Sequence, residues 1–92
     1  MRPYYIAGNW KMNKTAGEAA ELAKELAGRL KSCEHRLMLA PSFTSIPAVA
    51  DAVKGSNIRL GAQNMASAES GAHTGEVSPL MLKDLGVETV IL

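Results

Sequence analysis

The sequence predicts an α/β fold with a parallel sheet, and three features of the chain lead to this prediction. Short apolar segments alternate with longer stretches in which apolar residues recur at helical spacing. The short segments carry apolar residues on both faces, which is typical of strands buried in a parallel sheet. Each predicted strand is followed by a predicted helix, and this order is the one that βα units require.

The first strand is predicted from Tyr4 to Gly8 or Asn9, and the first helix begins behind Thr15. Thr15 and Glu18 have the spacing of a capping box, in which each side chain binds the backbone N–H of the other residue. An apolar stripe follows at helical spacing, and we assign it to the core because an amphipathic helix must cover a sheet. The stripe consists of Ala19, Leu22, Ala23, Leu26 and Leu30.

The second strand is predicted over Arg36 to Ala40, where Pro41 ends it. A second helix follows over about residues 45–54, since apolar residues recur there every three or four positions. The third strand is predicted over Ile58 to Ala62. These elements continue the βα alternation.

A long connection, Gln63 to Val77, separates the third strand from the third helix. It exceeds the usual βα loop of about 2 to 6 residues, and loops of this length are usually functional. Ser78 is predicted to cap the third helix with Pro79 at its first position, and Gly86 to end it. Residues 89–92 then open a fourth strand.

Composition excludes several classes of function. Hydrophobic residues make up 47% of the 92-residue chain and charged residues 21%, as in folded globular domains. Ten basic and nine acidic residues give a net charge of +1, which argues against nucleic-acid binding and against a polybasic membrane patch. The expected partners are therefore small molecules or protein.

The single cysteine, Cys33, cannot form an internal disulfide, and neither His35 nor His73 stands at metal-ligand spacing. We therefore expect neither a metal nor another cofactor. Residues 1–10 lack the pattern of a signal peptide, and no apolar stretch approaches the roughly 18 residues of a membrane span. These features predict a cytoplasmic protein without membrane contact.

Asn9 and Lys11 form the candidate site at the end of the first strand. Because side chains alternate along a strand, we expect these two on one face and Trp10 on the other, towards the helices. An amide and an ammonium that converge suit a small anion. A lone lysine behind a strand is more often simply solvated, and this alternative stays open at this point.

Four motifs occur in order along the chain: AGNWKMN at 7–13, APS at 40–42, GAQN at 61–64 and GAHTGEVSP at 71–79. Together they closely resemble the triosephosphate isomerase family, and the resemblance runs from Tyr4 to Leu92. It implies a (β/α)8 barrel, the TIM barrel, which takes about 250 residues. Residues 1–92 would then be the N-terminal part of a single, truncated domain, with about three βα units and the start of strand 4.

The resemblance also implies an activity. Members of the family interconvert dihydroxyacetone phosphate and D-glyceraldehyde 3-phosphate through an enediolate, in glycolysis and gluconeogenesis. Asn9 and Lys11 match the family's catalytic and substrate-binding residues. The family's catalytic histidine and glutamate lie beyond Leu92, and neither His35 nor His73 can replace them. We therefore expect the isolated chain to be inactive. Because an incomplete barrel leaves open sheet edges and an apolar face in water, we also expect that residues 1–92 do not form a stable monomer.

The same resemblance assigns supporting and interface residues. Gln63 and Asn64 would support Asn9 and Lys11, although an amide pair behind a strand is often only turn chemistry. Family members are usually homodimers, and the loop 64–77 would reach the partner subunit. A second, complementary chain completing the barrel is a further expected partner. The expected interface residues are Met12, Met65, Thr74, Gly75 and Glu76.

Several simpler interpretations of these residues, and two rival functions, are also consistent with the sequence. Glu76 can be a solvated carboxylate, and methionines often only fill a core. A nucleotide-binding doubly wound domain shares the βα alternation, but the chain has neither Gly-x-Gly-x-x-Gly behind the first strand nor a Gly-Lys-Ser/Thr phosphate loop. The other alternative is an inactive half-barrel fragment that acts only as a structural or self-associating module.

Overall fold

The computed structural model describes residues 2–92, so that Met1 of the predicted domain 1–92 lies outside the described residues. Four parallel strands form one sheet in the order β1-β2-β3-β4, and helices connect successive strands. The strands are β1 (Tyr5–Asn9), β2 (Arg36–Ala40), β3 (Ile58–Ala62) and β4 (Thr89–Val90), and the helices are α1 (Ala16–Arg29), α2 (Ile46–Ala52) and α3 (Pro79–Asp84). This alternation confirms the predicted α/β class.

The predicted starts of two helices are confirmed. Thr15 caps α1: its backbone N–H donates to Glu18 Oε1 at 3.0 Å, while the Glu18 N–H donates to Thr15 Oγ1 at 3.5 Å. Ser78 caps α3 by accepting a hydrogen bond from the Met81 N–H at 3.2 Å. Both caps satisfy backbone donors that have no partner within the helix.

The second helix differs from its prediction over residues 45–54. A 3₁₀ turn, Phe43–Ser45, leads directly into α2, which ends at Ala52. Val53 then leaves the helical conformation, and Gly55 adopts a φ of 79° that a residue with a Cβ rarely takes. The helix is therefore shorter than its apolar spacing suggested, because tight turns precede and follow it.

Strand register divides the sheet into two faces. Leu37 pairs with Ile58 and Leu39 with Leu60, and all four side chains pack into the core beneath the helices. The buried cluster consists of Ala19, Ala23, Leu37, Leu39, Ile46, Val49, Val53, Ile58, Leu60, Ala62, Leu82 and Val87. Apolar burial on this face is the main source of stability for the layer.

The opposite face of the sheet is closed locally by Met38. Its side chain lies across β3 at Gly61, where an added Cβ would collide with the Met38 sulfur, and only 3% of Met38 is exposed. The glycine therefore allows a large side chain to cover the neighbouring strand. Burial on both faces of β2 agrees with the two-sided apolar pattern that predicted a parallel sheet.

Two buried serines offer a comparison of satisfied and unsatisfied hydroxyls. Ser45 is 0% exposed, and among the described residues its Oγ has no hydrogen-bond partner. We expect Ser45→Ala to raise the free energy of unfolding by about 1 kcal/mol, because the substitution removes an unpaired buried polar atom. Urea unfolding of a complete barrel that contains residues 1–92, with and without the substitution, measures the change.

Ser78→Ala is the matched control, since Ser78 is also buried but caps α3. This substitution should lower the free energy of unfolding by about 1 kcal/mol through loss of the cap. Equal destabilisation by both substitutions would contradict the interpretation of Ser45.

The capping box predicts a pH dependence. The Thr15 backbone N–H and then the Thr15 hydroxyl donate to Glu18 and, with a smaller contribution from Lys14, lower the pKa of this carboxyl below its ordinary value of 4.5. A lowered pKa means that the carboxylate stabilises the fold above pH 4.5, and that this contribution disappears as the pH falls through the folded-state value.

The difference in unfolding free energy between the native protein and Glu18→Gln should therefore shrink on acidification below that pH. In a Thr15→Ala background, which removes the hydroxyl partner, the pH-dependent part of the difference should be smaller. A difference that stays constant down to about pH 3 would contradict this account.

Candidate active site

The carboxyl ends of three parallel strands meet at one edge of the sheet. Asn9 ends β1, Ala40 ends β2, and Gln63 directly follows β3. Register aligns Asn9 with Ala40, so these residues are neighbours although they are far apart in sequence. In parallel α/β sheets, ligands bind at this edge.

Asn9 and Lys11 meet in a way that strand alternation did not predict. The expectation that they share one strand face is wrong, because β1 ends at Asn9 and Lys11 has a left-handed backbone with a φ of 53°. Asn9 Oδ1 instead accepts a hydrogen bond from the Lys11 backbone N–H at 3.1 Å. The two residues are joined by a side-chain turn of the kind asparagine favours.

Trp10 turns towards the helices, as predicted. It packs half-buried against the core, and its indole nitrogen lies near Gly8 on the helix-facing side of β1. Its backbone N–H donates to the Ala40 carbonyl at 3.2 Å and so extends the β1–β2 ladder by one bond. Trp10 thereby anchors the chain directly before Lys11.

Gln63 links all three strand ends. Its Nε2 donates to the Lys11 carbonyl at 2.9 Å and to the Ala40 carbonyl at 2.8 Å. Both hydrogens of the amide nitrogen are thus used on backbone oxygens of other segments. The prediction that Gln63 supports Lys11 thus has a geometric basis, namely a contact with the backbone of Lys11.

Asn13 is a residue that the sequence analysis did not single out. Its Nδ2 donates to the Trp10 carbonyl at 2.8 Å, across the short turn that contains Lys11. The only sequence signal was its position inside the AGNWKMN motif. Asparagine commonly bonds to nearby backbone groups, so the residue type alone did not distinguish it from an ordinary turn residue.

Asn64 lies at the base of the long connection. It lines a small cavity of about 70 Å³ together with Phe43, Met65 and Glu76. Within residues 2–92, no side-chain hydrogen bond joins Asn64 to Asn9 or Lys11. Its predicted supporting role therefore has no direct contact comparable with that of Gln63.

The long connection forms a loop with a closed base and a tight tip. The Ala66 N–H donates to the Val77 carbonyl at 2.8 Å, and the Glu76 N–H donates to the His73 carbonyl at 3.0 Å. Thr74 and Gly75 form the tip between the latter pair, and Gly75 has the positive φ of 85° that a type II turn requires. The backbone hydrogen bond between Glu76 and His73 thus closes the tip of the loop.

The predicted interface residues differ in exposure. Met12 is 96% exposed, and Thr74, Gly75 and Glu76 are exposed as well. Met65 is half-buried and packs against the core of its own chain. An exposed methionine beside the candidate site is compatible with an interface, whereas Met65 already has a structural role.

Neither histidine lies at the Asn9–Lys11 site. His35 precedes β2 at the opposite edge of the sheet, where its Nδ1 accepts from the Tyr4 N–H at 3.1 Å. His73 folds against Gly71 in the long loop and lines a cavity with Glu76 and Met81. Among the residues the structure covers, no group of three or more His, Cys, Asp and Glu is arranged to bind a metal.

Cavities lie at both edges of the sheet. One of about 420 Å³ adjoins the candidate site and is lined by Asn9, Trp10, Asn13, Lys14, Glu18 and Leu22. A larger one of about 540 Å³ lies among Lys54, Asn57, Arg59 and Glu88, and it contains none of the predicted site residues. Size alone therefore does not identify the site, and the convergence of polar groups does.

No helix within residues 2–92 has both the length and the apolar character needed to cross a membrane. The family model "Triosephosphate isomerase" matches residues 4–92.

Curated proteins and solved structures agree with this match. The triosephosphate isomerase of Treponema pallidum (strain Nichols) is 58% identical over 92 residues, and that of Clostridium botulinum (strain Loch Maree / Type A3) is 55% identical. Both alignments cover 100% of this chain and 37% of the relative. The chain thus spans just over a third of the length of these relatives.

The crystal structure of triosephosphate isomerase from Bartonella henselae superposes with a TM-score of 0.87 at 37% identity, covering 98% of this chain and 37% of that one. Its fold is a TIM barrel, which confirms the predicted architecture: the four strands and their helices form part of such a barrel. On the match over residues 4–92, the chain belongs to the triosephosphate isomerase family.

Proposed function

We propose that residues 1–92 contribute Asn9 and Lys11 to the active site of a triosephosphate isomerase. The whole protein would interconvert dihydroxyacetone phosphate and D-glyceraldehyde 3-phosphate through an enediolate, in the cytoplasm and as a step of glycolysis and gluconeogenesis. The observation that carries the proposal is the fixed backbone of Lys11 at the carboxyl edge of the sheet, held by Asn9 and Gln63.

The charge of Lys11 suits this substrate class. A triose phosphate carries an anionic phosphate, and its enediolate develops further negative charge beside it. A compact ammonium stabilises both without needing the planar geometry of an arginine. Because hydrogen bonds fix the Lys11 backbone on both sides, the side chain starts from a defined position and less reorganisation is required.

Asn9 can contribute a second polar contact. Its Oδ1 accepts from the Lys11 N–H, and within the described residues no acceptor is paired with its Nδ2. The amide hydrogens are therefore the part of Asn9 that can donate to a substrate oxygen. One side chain would thus both fix Lys11 and orient the substrate.

Proton transfer needs groups from outside this segment. By family resemblance, a histidine and a glutamate supply the electrophile and the base, and neither His35 nor His73 lies at the site. The segment would accordingly bind and stabilise the anion without moving protons. The isolated chain would be inactive.

Assembly into a homodimer would proceed through the loop 64–77. Its closed base and its backbone-bonded tip at Thr74 project an exposed segment with little conformational freedom. A preorganised loop loses less entropy on binding a partner. Gly75, Glu76 and Met12 would join Thr74 at the interface.

The activity can be tested in a chimera in which residues 1–92 replace the matched segment of the Treponema pallidum relative. Lys11→Ala should lower kcat/KM about 100-fold or more, because a stabiliser of developing charge is lost. Lys11→Arg should also lower kcat/KM, because the planar guanidinium does not fit a site built for a compact ammonium. Steady-state kinetics in both directions measure the effect.

Lys14→Ala is the matched control, because Lys14 lies in the same loop and also has a left-handed backbone, with a φ of 76°. It should retain most of the activity. Near-normal turnover by Lys11→Ala would refute the role of Lys11. A folded but inactive unsubstituted chimera would instead favour the alternative of a purely structural or self-associating half-barrel.

The loop can be tested separately in the same chimera. Deleting residues 68–71 should yield monomers with low activity, because the shortened loop no longer carries Thr74 to the partner. Sedimentation velocity measures the oligomeric state. Glu69→Gln, which keeps the loop length and removes one charge, should stay dimeric, and dimers of the deletion variant at micromolar concentration would rule out this interface.

A further inference from the structure

The backbone of Lys11 is strained and needs support. Its φ of 53° lies in the left-handed region, which the Cβ of any residue except glycine disfavours. Such a conformation persists only where surrounding interactions hold it in place. The hydrogen bonds around Lys11 therefore reveal which residues maintain the geometry of the site.

Two of these bonds act on the same rigid unit. The Trp10 carbonyl and the Lys11 N–H belong to one planar peptide group. Asn13 Nδ2 donates to the carbonyl at 2.8 Å, and Asn9 Oδ1 accepts from the N–H at 3.1 Å. The peptide plane is thus held at both ends by two asparagine side chains, one before and one after it in the chain.

Holding the plane fixes the direction of Lys11. Rotation of this peptide group changes ψ of Trp10 and φ of Lys11 together, and it is the motion by which Lys11 could relax to negative φ. Gln63 holds the next peptide group through the Lys11 carbonyl at 2.9 Å, so it does not itself prevent that rotation. Asn13 and Asn9 are the side chains that do.

We propose that Asn13 is a positioning residue for Lys11: its amide locks the Trp10–Lys11 peptide group and thereby aims the ammonium at the substrate. This inference rests on the proposed isomerase function and extends it to a residue that itself need not touch substrate. Asn13 acts through the backbone, because its bond is made to a carbonyl and not to the lysine side chain.

A purely structural asparagine elsewhere in the chain provides the comparison. Asn57 Nδ2 also donates to a backbone carbonyl at 2.8 Å, that of Leu30, with a second, longer bond to the Cys33 carbonyl at 3.3 Å, and it lies at the opposite edge of the sheet. The bonds to Trp10 and Leu30 match in donor, acceptor and length but differ in distance from the site. Loss of either should affect folding, whereas only loss of the Asn13 bond should affect Lys11.

The experiment uses the chimera with the Treponema pallidum relative and three substitutions. Asn13→Ala removes the donor, Asn13→Ser keeps a hydroxyl that can reach a carbonyl three residues back, and Asn57→Ala is the control. For each variant, kcat and KM are measured together with urea unfolding. Crystal structures of the chimera with and without Asn13→Ala give φ of Lys11.

Asn13→Ala should lower kcat/KM about 10-fold or more, since a displaced catalytic group loses its alignment. Asn13→Ser should recover most of this loss. Asn57→Ala should leave kcat/KM within about 2-fold of the parent while lowering stability at least as much as Asn13→Ala, because it removes two hydrogen bonds. In the Asn13→Ala crystal structure, Lys11 should have left the left-handed region.

Equal kinetics of Asn13→Ala and Asn57→Ala, or a Lys11 that keeps its positive φ without the Asn13 amide, would overturn the inference. An unsubstituted chimera that folds without activity would overturn the proposed function instead. In that case the crystal structures still decide whether Asn13 holds Lys11, so the two failures are distinguishable.

Discussion

The candidate site depends on one amide group that connects three strands. Gln63 directly follows β3. Its Nε2 donates to the Lys11 carbonyl, just beyond the end of β1, and to the Ala40 carbonyl at the end of β2. Parallel pairing aligns the strand ends, but the ladder stops before the loops begin. The amide extends the cross-linking beyond the ladder, and so transfers the rigidity of the sheet to the segment that carries Lys11.

That rigidity originates in the packing on both sides of β2. Leu37 and Leu39 anchor the strand to the helices, and Met38 lies across Gly61 on the other face. A larger residue at position 61 would displace Met38 and disturb the alignment of β2 with β3. Ala40 is the last residue of β2, and Gln63 is the first residue after β3. Core packing and site geometry are therefore coupled through only a few residues of backbone.

Local signals made much of the fold predictable from sequence. The capping box at Thr15 and the cap at Ser78 depend on residues three positions apart, and contiguous apolar runs indicated the bounds of β2 and β3; all were confirmed. The family was likewise predictable, because its motifs are contiguous. These features share one property: the sequence signal lies inside the segment that displays the feature.

Features with distant or conformational causes were not predictable. Gln63 meets a carbonyl 52 residues away, and no local pattern encodes such a contact. Alternation failed at Lys11 because it assumes that the strand continues, whereas the backbone leaves the β region after Asn9. Lysine disfavours a left-handed backbone conformation, so its sequence gives no sign of one. Functional sites are where such departures from local preference are expected.

The loop between β1 and α1 shows how this strain can persist. It contains two left-handed non-glycine residues, Lys11 and Lys14, within a few positions of each other. Its start is anchored by the Trp10 N–H on β2, and its end by the capping box at Thr15, which directly follows Lys14. Between these fixed ends, the side chains of Asn9 and Asn13 bond to the Trp10–Lys11 peptide group and hold Lys11 at its positive φ. The stable elements on either side therefore limit the space that the loop can explore, and the two asparagine side chains orient Lys11 within it.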